Sequence, residues 1–183
     1  INSLIIGDSQ IHGQVKESFL LSEDFGFSKT LMHKLFETTV RVGKRAITET
    51  KIGEGAVTVS FAGIKVVEKI FSSFENKSAL VIGAGETGEL AATHLYEKGI
   101  GKLSITNRSF AKAELISQKL HCEVLDFSEF KNHLPKFDII VSATSADGFI
   151  LEYDEIKEMM KKRKGKLTSL LDIAIHRDID PKV

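Results

Sequence analysis

The glycine-rich run Gly83-Ala84-Gly85-Glu86-Thr87-Gly88 has the most specific chemistry in the sequence. It has the form GxGxxG and stands between an apolar run and a helical segment, which is the context in which the pattern binds a dinucleotide. Gly83 permits a tight turn, Gly85 lets a pyrophosphate approach the backbone, and Gly88 lets the helix pack closely on the strand. The start of the helix also offers unpaired amides and about half a unit of positive charge to an anion. We predict that all six residues contact a cofactor and that the Glu86 carboxylate turns away from it; the alternative is a glycine turn without a nucleotide.

The residues after the second predicted strand indicate which dinucleotide binds. An NAD enzyme commonly has Asp or Glu there to bind the ribose hydroxyls, whereas this chain has Asn107, Arg108 and Ser109. Without an acid, nothing repels a 2′-phosphate, and Arg108 can form charge-assisted bonds to it and lie against the adenine. We therefore predict NADPH as the cofactor. An exposed arginine that caps a turn is the alternative.

Two further strand ends are candidates for the nicotinamide half of the site. Ser142, Ala143 and Thr144, followed by Ser145, end the fourth predicted strand, and Asp172-Ile173-Ala174 ends the fifth. Ligands of doubly wound sheets lie along the carboxyl ends of the strands. Small residues at these positions would let the cofactor approach the backbone, so we assign Ser142, Ala143 and Thr144 to the cofactor site.

The elements that must position these residues alternate between strands and helices from Lys77 onward. Apolar runs predict strands at 79–82, 103–106, 123–125, 137–142 and 167–174, with helices at 86–98, 109–120 and 153–162. This alternation predicts an α/β fold, a doubly wound parallel sheet of the Rossmann type, with an N-terminal helical arm. We divide the chain into the end of a catalytic or substrate domain (1–25), connecting helices (26–76) and an NADPH-binding Rossmann domain (77–183).

Two amphipathic helices are predicted before the sheet. The first runs from Ser28, a plausible cap, to Thr50, and the second follows the glycines Gly53 and Gly55. Both apolar stripes are expected to pack in a core. The first stripe is Leu31, Leu35, Val42 and Ala46, and the second is Ile64, Val67, Phe71 and Phe74.

Composition excludes several classes of protein. The chain has 183 residues with formal net charge zero, so its surface as a whole is not a polyanion-binding surface. One cysteine cannot form an internal disulfide, which fits a reducing compartment, and we expect a cytoplasmic protein. No apolar run reaches the roughly 20 residues that span a bilayer. Because the chain begins at Ile1 rather than Met, we expect it to be a piece of a longer protein.

Four segments together resemble the glutamyl-tRNA reductase family. The glycine motif with Asn-Arg-Ser is also seen in shikimate dehydrogenases, so three other segments narrow the resemblance. Ser3–Lys16 is similar to the signature near the end of that family's catalytic domain, and Val42–Val57 to the stretch that follows it. Leu171–Pro181 is similar to the segment that closes the NADPH domain. The resemblance extends over essentially the whole chain.

The resemblance implies NADPH-dependent reduction of glutamyl-tRNA(Glu) to glutamate-1-semialdehyde in tetrapyrrole (porphyrin) biosynthesis. In this family a cysteine thiolate attacks the activated ester, and hydride then releases the aldehyde from the thioester. That cysteine lies before the signature, so we expect this piece to lack the nucleophile and any catalytic residue, and to be inactive alone. The family also implies a homodimer, and glutamate-1-semialdehyde aminomutase is a further candidate partner. By position, the substrate-binding residues would be Ser3, Asp8, Ser9, Gln10 and Gln14, for which solvated polar side chains are the alternative.

The chain departs from the family pattern at Asp8, usually Glu, at His12, usually Leu, and at His176, often Pro. Asp8 keeps the charge on a shorter arm. His12 is expected to pack or to face solvent, because no metal-ligand set surrounds it, and we predict no metal site. Cys122, between a helix and a strand, is expected to be a buried structural thiol.

Other interpretations of the chain stay open. The basic run 161–166 could contact tRNA phosphates or, as we prefer, stabilise a helix C-terminus. The alternative functions are a shikimate-dehydrogenase-like oxidoreductase, which needs a substrate domain with a Lys–Asp pair, and a non-catalytic NADPH-binding module.

Overall fold

A computed structural model describes residues 7–50, 52 and 58–183, without the side chain of Ser9. Predicted features at Ser3 and at 53–57 therefore lie outside the described residues. Contacts divide the chain into two compact units, Ile1–Val59 and Ser60–Val183. Within the described ranges, no helix has the length and apolarity that crossing a membrane requires.

The described part of the first unit contains a pair of packed helices, α1 (Ser9–Asp24) and α2 (Thr30–Glu49). Phe19 stacks on Phe36 with 5.0 Å between the ring centroids. The Nε2 of His12 donates to the carbonyl of Val40 at 3.0 Å. The same ring lies so close to Gly43 that an added Cβ there would meet it at 2.5 Å. His12 thus packs between the helices, as predicted.

Two predictions about α2 were wrong. The helix is capped by Lys29 without a side-chain bond, while the Ser28 hydroxyl lies 2.7 Å from that of Ser22. The predicted core stripe is exposed instead of buried: Leu31 by 80%, Leu35 by 57% and Val42 by 54%, with Ala46 exposed as well. The reason is that α2 contacts α1 at Phe36, Val40 and Gly43, which lie on a different face of the helix.

The second unit contains a five-stranded parallel sheet. Its strands are β1 (Ser78–Ile82), β2 (Lys102–Thr106), β3 (Glu123–Leu125), β4 (Ile139–Ser142) and β5 (Ser169–Asp172), in the order β3-β2-β1-β4-β5. Ile82, at the end of β1, pairs with Thr106 on one side and Ser142 on the other. The carboxyl ends of the central strands therefore lie level. The predicted doubly wound fold is confirmed.

Helices cover both faces of the sheet. They are α3 (Val59–Ile70), α4 (Glu86–Glu97), α5 (Phe110–Leu120), α6 (Phe130–His133) with the 3-10 turn Leu134–Lys136, and α7 (Tyr153–Arg163). One apolar cluster joins α3, α4 and α5 to side chains such as Val81 and Ile105. A second joins α6 and α7 to Leu80 and Ile140. The stripe predicted for the second helix, Ile64, Val67, Phe71 and Phe74, is buried as expected, although α3 ends at Ile70.

The basic run at the end of α7 includes one residue that is not on the surface. Arg163 is 5% exposed, and its guanidinium donates to Asp138 at 2.8 Å and to the carbonyls of Pro135 and Leu167 at 2.9 Å. These bonds join α7 to the chain entering β4 and to the chain leading into β5. Arg163 is therefore structural. The exposed lysines around it were predicted either to stabilise the C-terminus of the helix or to contact tRNA phosphates, and both roles stay predictions.

Candidate functional site

A cleft of ≈ 530 Å³ opens at the carboxyl ends of the strands. It lies at the switch point of the sheet, where β1 has β2 on one side and β4 on the other, and where doubly wound folds bind their ligands. The walls come from the glycine turn after β1, the chain after β2, the chain after β4 and the chain after β5. Its lining residues are Gly83–Thr87, Asn107–Ser109, Lys112, Phe127, Ala143–Ala146, Ile150 and Ile173–Ile175.

The glycine turn has the geometry that its sequence predicted. Gly83 has φ 107°, which side chains rarely adopt, and a Cβ there would come within 2.4 Å of the Ala143 carbonyl oxygen. Gly88 differs from the prediction of a cofactor contact, because it is buried and does not line the cleft. A Cβ there would be 2.1 Å from the carbonyl oxygen of Gly83, so the helix touches the turn backbone to backbone. At Gly85, by contrast, a Cβ would meet no atom within 4 Å and would project into open space. Open space at this glycine, next to the first amides of α4, suits a pyrophosphate.

Asn107 connects the glycine turn to the end of β2. Its Oδ1 accepts from the backbone N–H of Ala84 at 3.1 Å, and its Nδ2 donates to the carbonyl of Ser109 at 2.9 Å. The residue thus holds both loops in register while it lines the cleft, and its contact with a cofactor stays a prediction. Arg108 follows, exposed at the rim of the cleft.

Sequence reasoning missed Lys112, a second cation at this end of the cleft. It lies in the first turn of α5, is exposed, and lines the cleft together with Arg108. Its position in the sequence could have indicated this, because Lys112 follows the predicted cofactor residue Ser109 by three positions and residues three apart share a helix face. Doubly wound folds place the adenosine ribose at the end of β2, where two cations would give a 2′-phosphate a positive environment.

The glycine-turn acid Glu86 is also exposed and lines the cleft. The prediction that its carboxylate turns away from a bound pyrophosphate stays a prediction.

The other half of the cleft differs from the prediction at two residues. Ala143 and Thr144 line it, but Ser142 is fully buried and donates its hydroxyl to Asp178 at 2.7 Å, so it supports the wall from behind. Of the predicted rim, Ile173 and Ala174 line the cleft. Asp172 instead accepts the backbone N–H groups of residues 174, 178 and 179. Phe127, Ala146, Ile150 and Ile175 add apolar surface that no motif indicated.

The predicted substrate residues lie in the first unit. Asp8 caps α1 and accepts from the backbone N–H of Gln10 at 3.0 Å, so at least one carboxylate oxygen has a local role. Gln10 and Gln14 lie one turn apart on α1, which places them on one helix face. Ser3 and the side chain of Ser9 lie outside the described residues.

Cys122, the single cysteine of the chain, is partly buried against the α3–α5 side of the core and does not line the cleft. Burial raises the pKa of its thiol, with a smaller opposing effect from hydrogen bonds. A raised pKa disfavours the thiolate, which is the nucleophilic form. The thiol is thus structural, though only partly buried.

Comparison with known proteins distinguishes between the two families that the glycine motif and Asn107–Ser109 resemble. Residues 65–183 match the family model described as shikimate/quinate 5-dehydrogenase, which covers the Rossmann unit. Residues 1–50 match the model of the N-terminal domain of glutamyl-tRNAGlu reductase. The glutamyl-tRNA reductase of Chlorobaculum parvum is 42% identical over the full chain, and that of Geobacillus thermodenitrificans is 40% identical over 99% of it. The chain belongs to the glutamyl-tRNA reductase family.

A solved structure agrees with this assignment. The glutamyl-tRNA reductase from Methanopyrus kandleri superposes with a TM-score of 0.63 and 32% identity, covering 98% of this chain and 45% of that one. The chain spans 43% of the length of the Chlorobaculum relative and 40% of the Geobacillus one. It therefore corresponds to less than half of a glutamyl-tRNA reductase and includes the nicotinamide-nucleotide-binding fold.

Proposed function

We propose that the chain binds NADPH in the cleft and serves as the cofactor-binding part of a glutamyl-tRNA reductase. The whole enzyme would reduce glutamyl-tRNA(Glu) to glutamate-1-semialdehyde for tetrapyrrole biosynthesis. The observation that carries the proposal is the convergence, in one cleft, of the glycine turn with Arg108 and Lys112. Free amides at a helix start suit a pyrophosphate, and paired cations at the end of β2 suit a 2′-phosphate.

The residues of the cleft would act by binding and orienting the cofactor. The amides at the start of α4 would hold the pyrophosphate, and Arg108 and Lys112 the 2′-phosphate. Ala143 and Thr144 would support the nicotinamide half, and Ile150 and Ile173 would limit its contact with water. Bound NADPH supplies the hydride for the reduction of the substrate carbonyl.

Replacing Arg108 tests the choice of nucleotide. In the Arg108→Ala variant we expect affinity for NADPH to fall about 10- to 100-fold, because a hydrogen bond to a charged group is worth roughly 1.5–3 kcal/mol. Affinity for NADH, which has no 2′-phosphate, should fall by much less, because only the contact with the adenine is lost. Isothermal titration calorimetry of both nucleotides measures the difference.

The matched control for this variant is Lys102→Ala, which removes an exposed cation at the opposite end of β2. It should leave both affinities unchanged. Equal binding of NADH and NADPH by the unaltered chain would contradict the assignment of the 2′-phosphate to Arg108.

The reacting carbon of the substrate requires groups outside the cleft. We propose that Ser3, Asp8, Ser9, Gln10 and Gln14 hold the glutamyl group. We also propose that the nucleophilic cysteine is contributed by sequence outside this chain, since Cys122 has a raised pKa and no access to the cleft. The tRNA, a second subunit and glutamate-1-semialdehyde aminomutase are the proposed partners, in the cytoplasm. The division at 1–25, 26–76 and 77–183 is likewise a proposal.

The chain alone should therefore bind NADPH without oxidising it when glutamyl-tRNA is added. Turnover is expected once a catalytic segment from a glutamyl-tRNA reductase is fused before Ile1. The absorbance of the reduced nicotinamide reports both experiments.

Rapid oxidation by the chain alone would contradict the assignment of the nucleophile. Reduction of NADP with added shikimate would favour a shikimate-dehydrogenase-like activity, and a fusion that binds without turnover would favour a binding module.

A further inference from the structure

Asp178 is a fully buried carboxylate that contacts the wall of the cleft from behind. Its Oδ2 accepts from the Ser142 hydroxyl at 2.7 Å and from the backbone N–H of Thr144 at 2.8 Å. Its Oδ1 accepts from the Thr144 hydroxyl at 2.7 Å. A buried carboxylate is costly unless hydrogen bonds compensate the lost water, and here three donors from one short stretch of chain do so.

These bonds determine where the chain goes as it leaves β4. The Thr144 hydroxyl, held by Asp178, also accepts from the N–H of Ala146 at 3.2 Å, which forms a local turn. The adjoining carbonyl of Ala143 and the methyl of Thr144 are the groups packed against Gly83. Asp178 is thus connected through Thr144 to the glycine turn on which the pyrophosphate would lie.

The backbone of Asp178 holds the far end of the same loop. Its carbonyl accepts from the N–H groups of Ile150 and Leu151 at 2.6 and 3.0 Å. Leu151 is fully buried and forms a parallel bridge with Ile179. The side chain of Asp178 therefore holds the start of the loop at 144 and its backbone holds the end at 150–151. Between them lie Ser145 and Ala146, which line the cleft.

We propose that Asp178 is a positioning residue for the nicotinamide half of the bound cofactor. In a doubly wound sheet the adenosine half lies beside β2, and the other half lies beyond the switch point beside β4. The groups held by Asp178 all belong to the β4 side, whereas Arg108, Lys112 and Asn107 belong to the β2 side. Losing the carboxylate would shift the β4 wall and leave the adenosine end in place. This inference rests on the proposed binding of NADPH.

The test compares two ligands that share the adenosine end. NADPH has both halves, whereas adenosine 2′,5′-bisphosphate has the 2′-phosphate but no nicotinamide. In Asp178→Ala, which leaves a buried N–H and two hydroxyls without their acceptor, the dissociation constant for NADPH should rise about 10-fold or more. The constant for the bisphosphate should change less than about twofold. Asp178→Asn should give an intermediate value for NADPH, because the amide oxygen can still accept from the N–H of Thr144.

Asp180→Ala is the matched control, since among the described residues its carboxylate accepts only a local N–H, that of Lys182 at 2.9 Å. It should leave both ligands unaffected. If Asp178→Ala does not fold, Ser142→Ala decides, because it removes one of the three bonds at a buried residue that does not line the cleft. A selective loss for NADPH supports the proposal in either variant. An equal loss for both ligands, or no loss for NADPH, overturns it; failure of the unaltered chain to bind either ligand would instead overturn the proposed function.

Discussion

Gly88→Ala should lower the affinity for NADPH by about 100-fold. A Cβ at this position would lie 2.1 Å from the carbonyl oxygen of Gly83, and neither backbone can rotate away as a flexible side chain could. Inserting a methyl group into a packed site costs about 1–3 kcal/mol and occasionally more. Relief requires the start of α4 to separate from the turn, which moves the amides away from the pyrophosphate. A penalty of about 3 kcal/mol corresponds to roughly 100-fold in the dissociation constant. Calorimetric titration with NADPH measures it.

Gly148→Ala is the control for Gly88→Ala. A Cβ at Gly148 meets nothing within 4 Å, and the residue does not line the cleft. We expect its affinity for NADPH to match that of the unaltered chain. Wild-type affinity in Gly88→Ala would show that the contact between turn and helix is not needed for binding, and the assignment of the glycine turn to the pyrophosphate would then be wrong.

Arg163→Met should destabilise the nucleotide-binding unit by about 3 kcal/mol. Removing one partner of a buried ion pair commonly costs about 3–5 kcal/mol, and the lower end applies because the Asp138 side chain is 23% exposed. The carbonyls of Pro135 and Leu167 lose their donor as well. Urea unfolding followed by circular dichroism measures the loss, and the transition to analyse is the one that NADPH shifts to higher urea.

Lys162→Met is the matched control, because it removes an exposed cation from the same last turn of α7. It should change the free energy of unfolding by less than about 0.5 kcal/mol. Equal losses in the two variants would show that the effect comes from charge at the helix end and not from the buried pair.

The dependence on pH provides an independent check of this pair. Burial raises the pKa of Asp138, but hydrogen bonds from Arg163 and Ser78 lower it by more, so the net pKa lies below its ordinary value. A carboxyl with a lowered folded-state pKa contributes stability above its unfolded pKa of about 3.9 and loses it as the pH falls through the folded pKa. The stability difference between the unaltered chain and Arg163→Met should thus be complete near neutral pH and shrink below about pH 4.

The sequence by itself was sufficient to predict the sheet and the centre of the cleft. Each strand was predicted close to its observed position, because strands that are buried on both faces of a parallel sheet have short, near-continuous apolar runs. The sequence also predicted the tight turn after β1, because such a turn requires residues without side chains and glycines are visible in the sequence. The sequence also indicated that Arg108 lies at the cleft, because it follows the strand end where an NAD enzyme commonly has an acid; its bond to a 2′-phosphate stays a prediction.

Only the tertiary structure decided which apolar and polar residues face inward. The apolar stripe of α2 has the helical period of a core-facing surface, yet it is exposed, and the helix packs on α1 at Phe36, Val40 and Gly43. Period alone does not identify which side of a helix its neighbour covers. Ser142 and Asp178 are 36 residues apart, and no local pattern predicts that their side chains bond. Arg163 looked like one cation among several, and its burial depends on carbonyls from two other segments. Long-range contacts of this kind bring together groups whose spacing along the chain contains no signal, so the supports of the site appear only when the chain is folded.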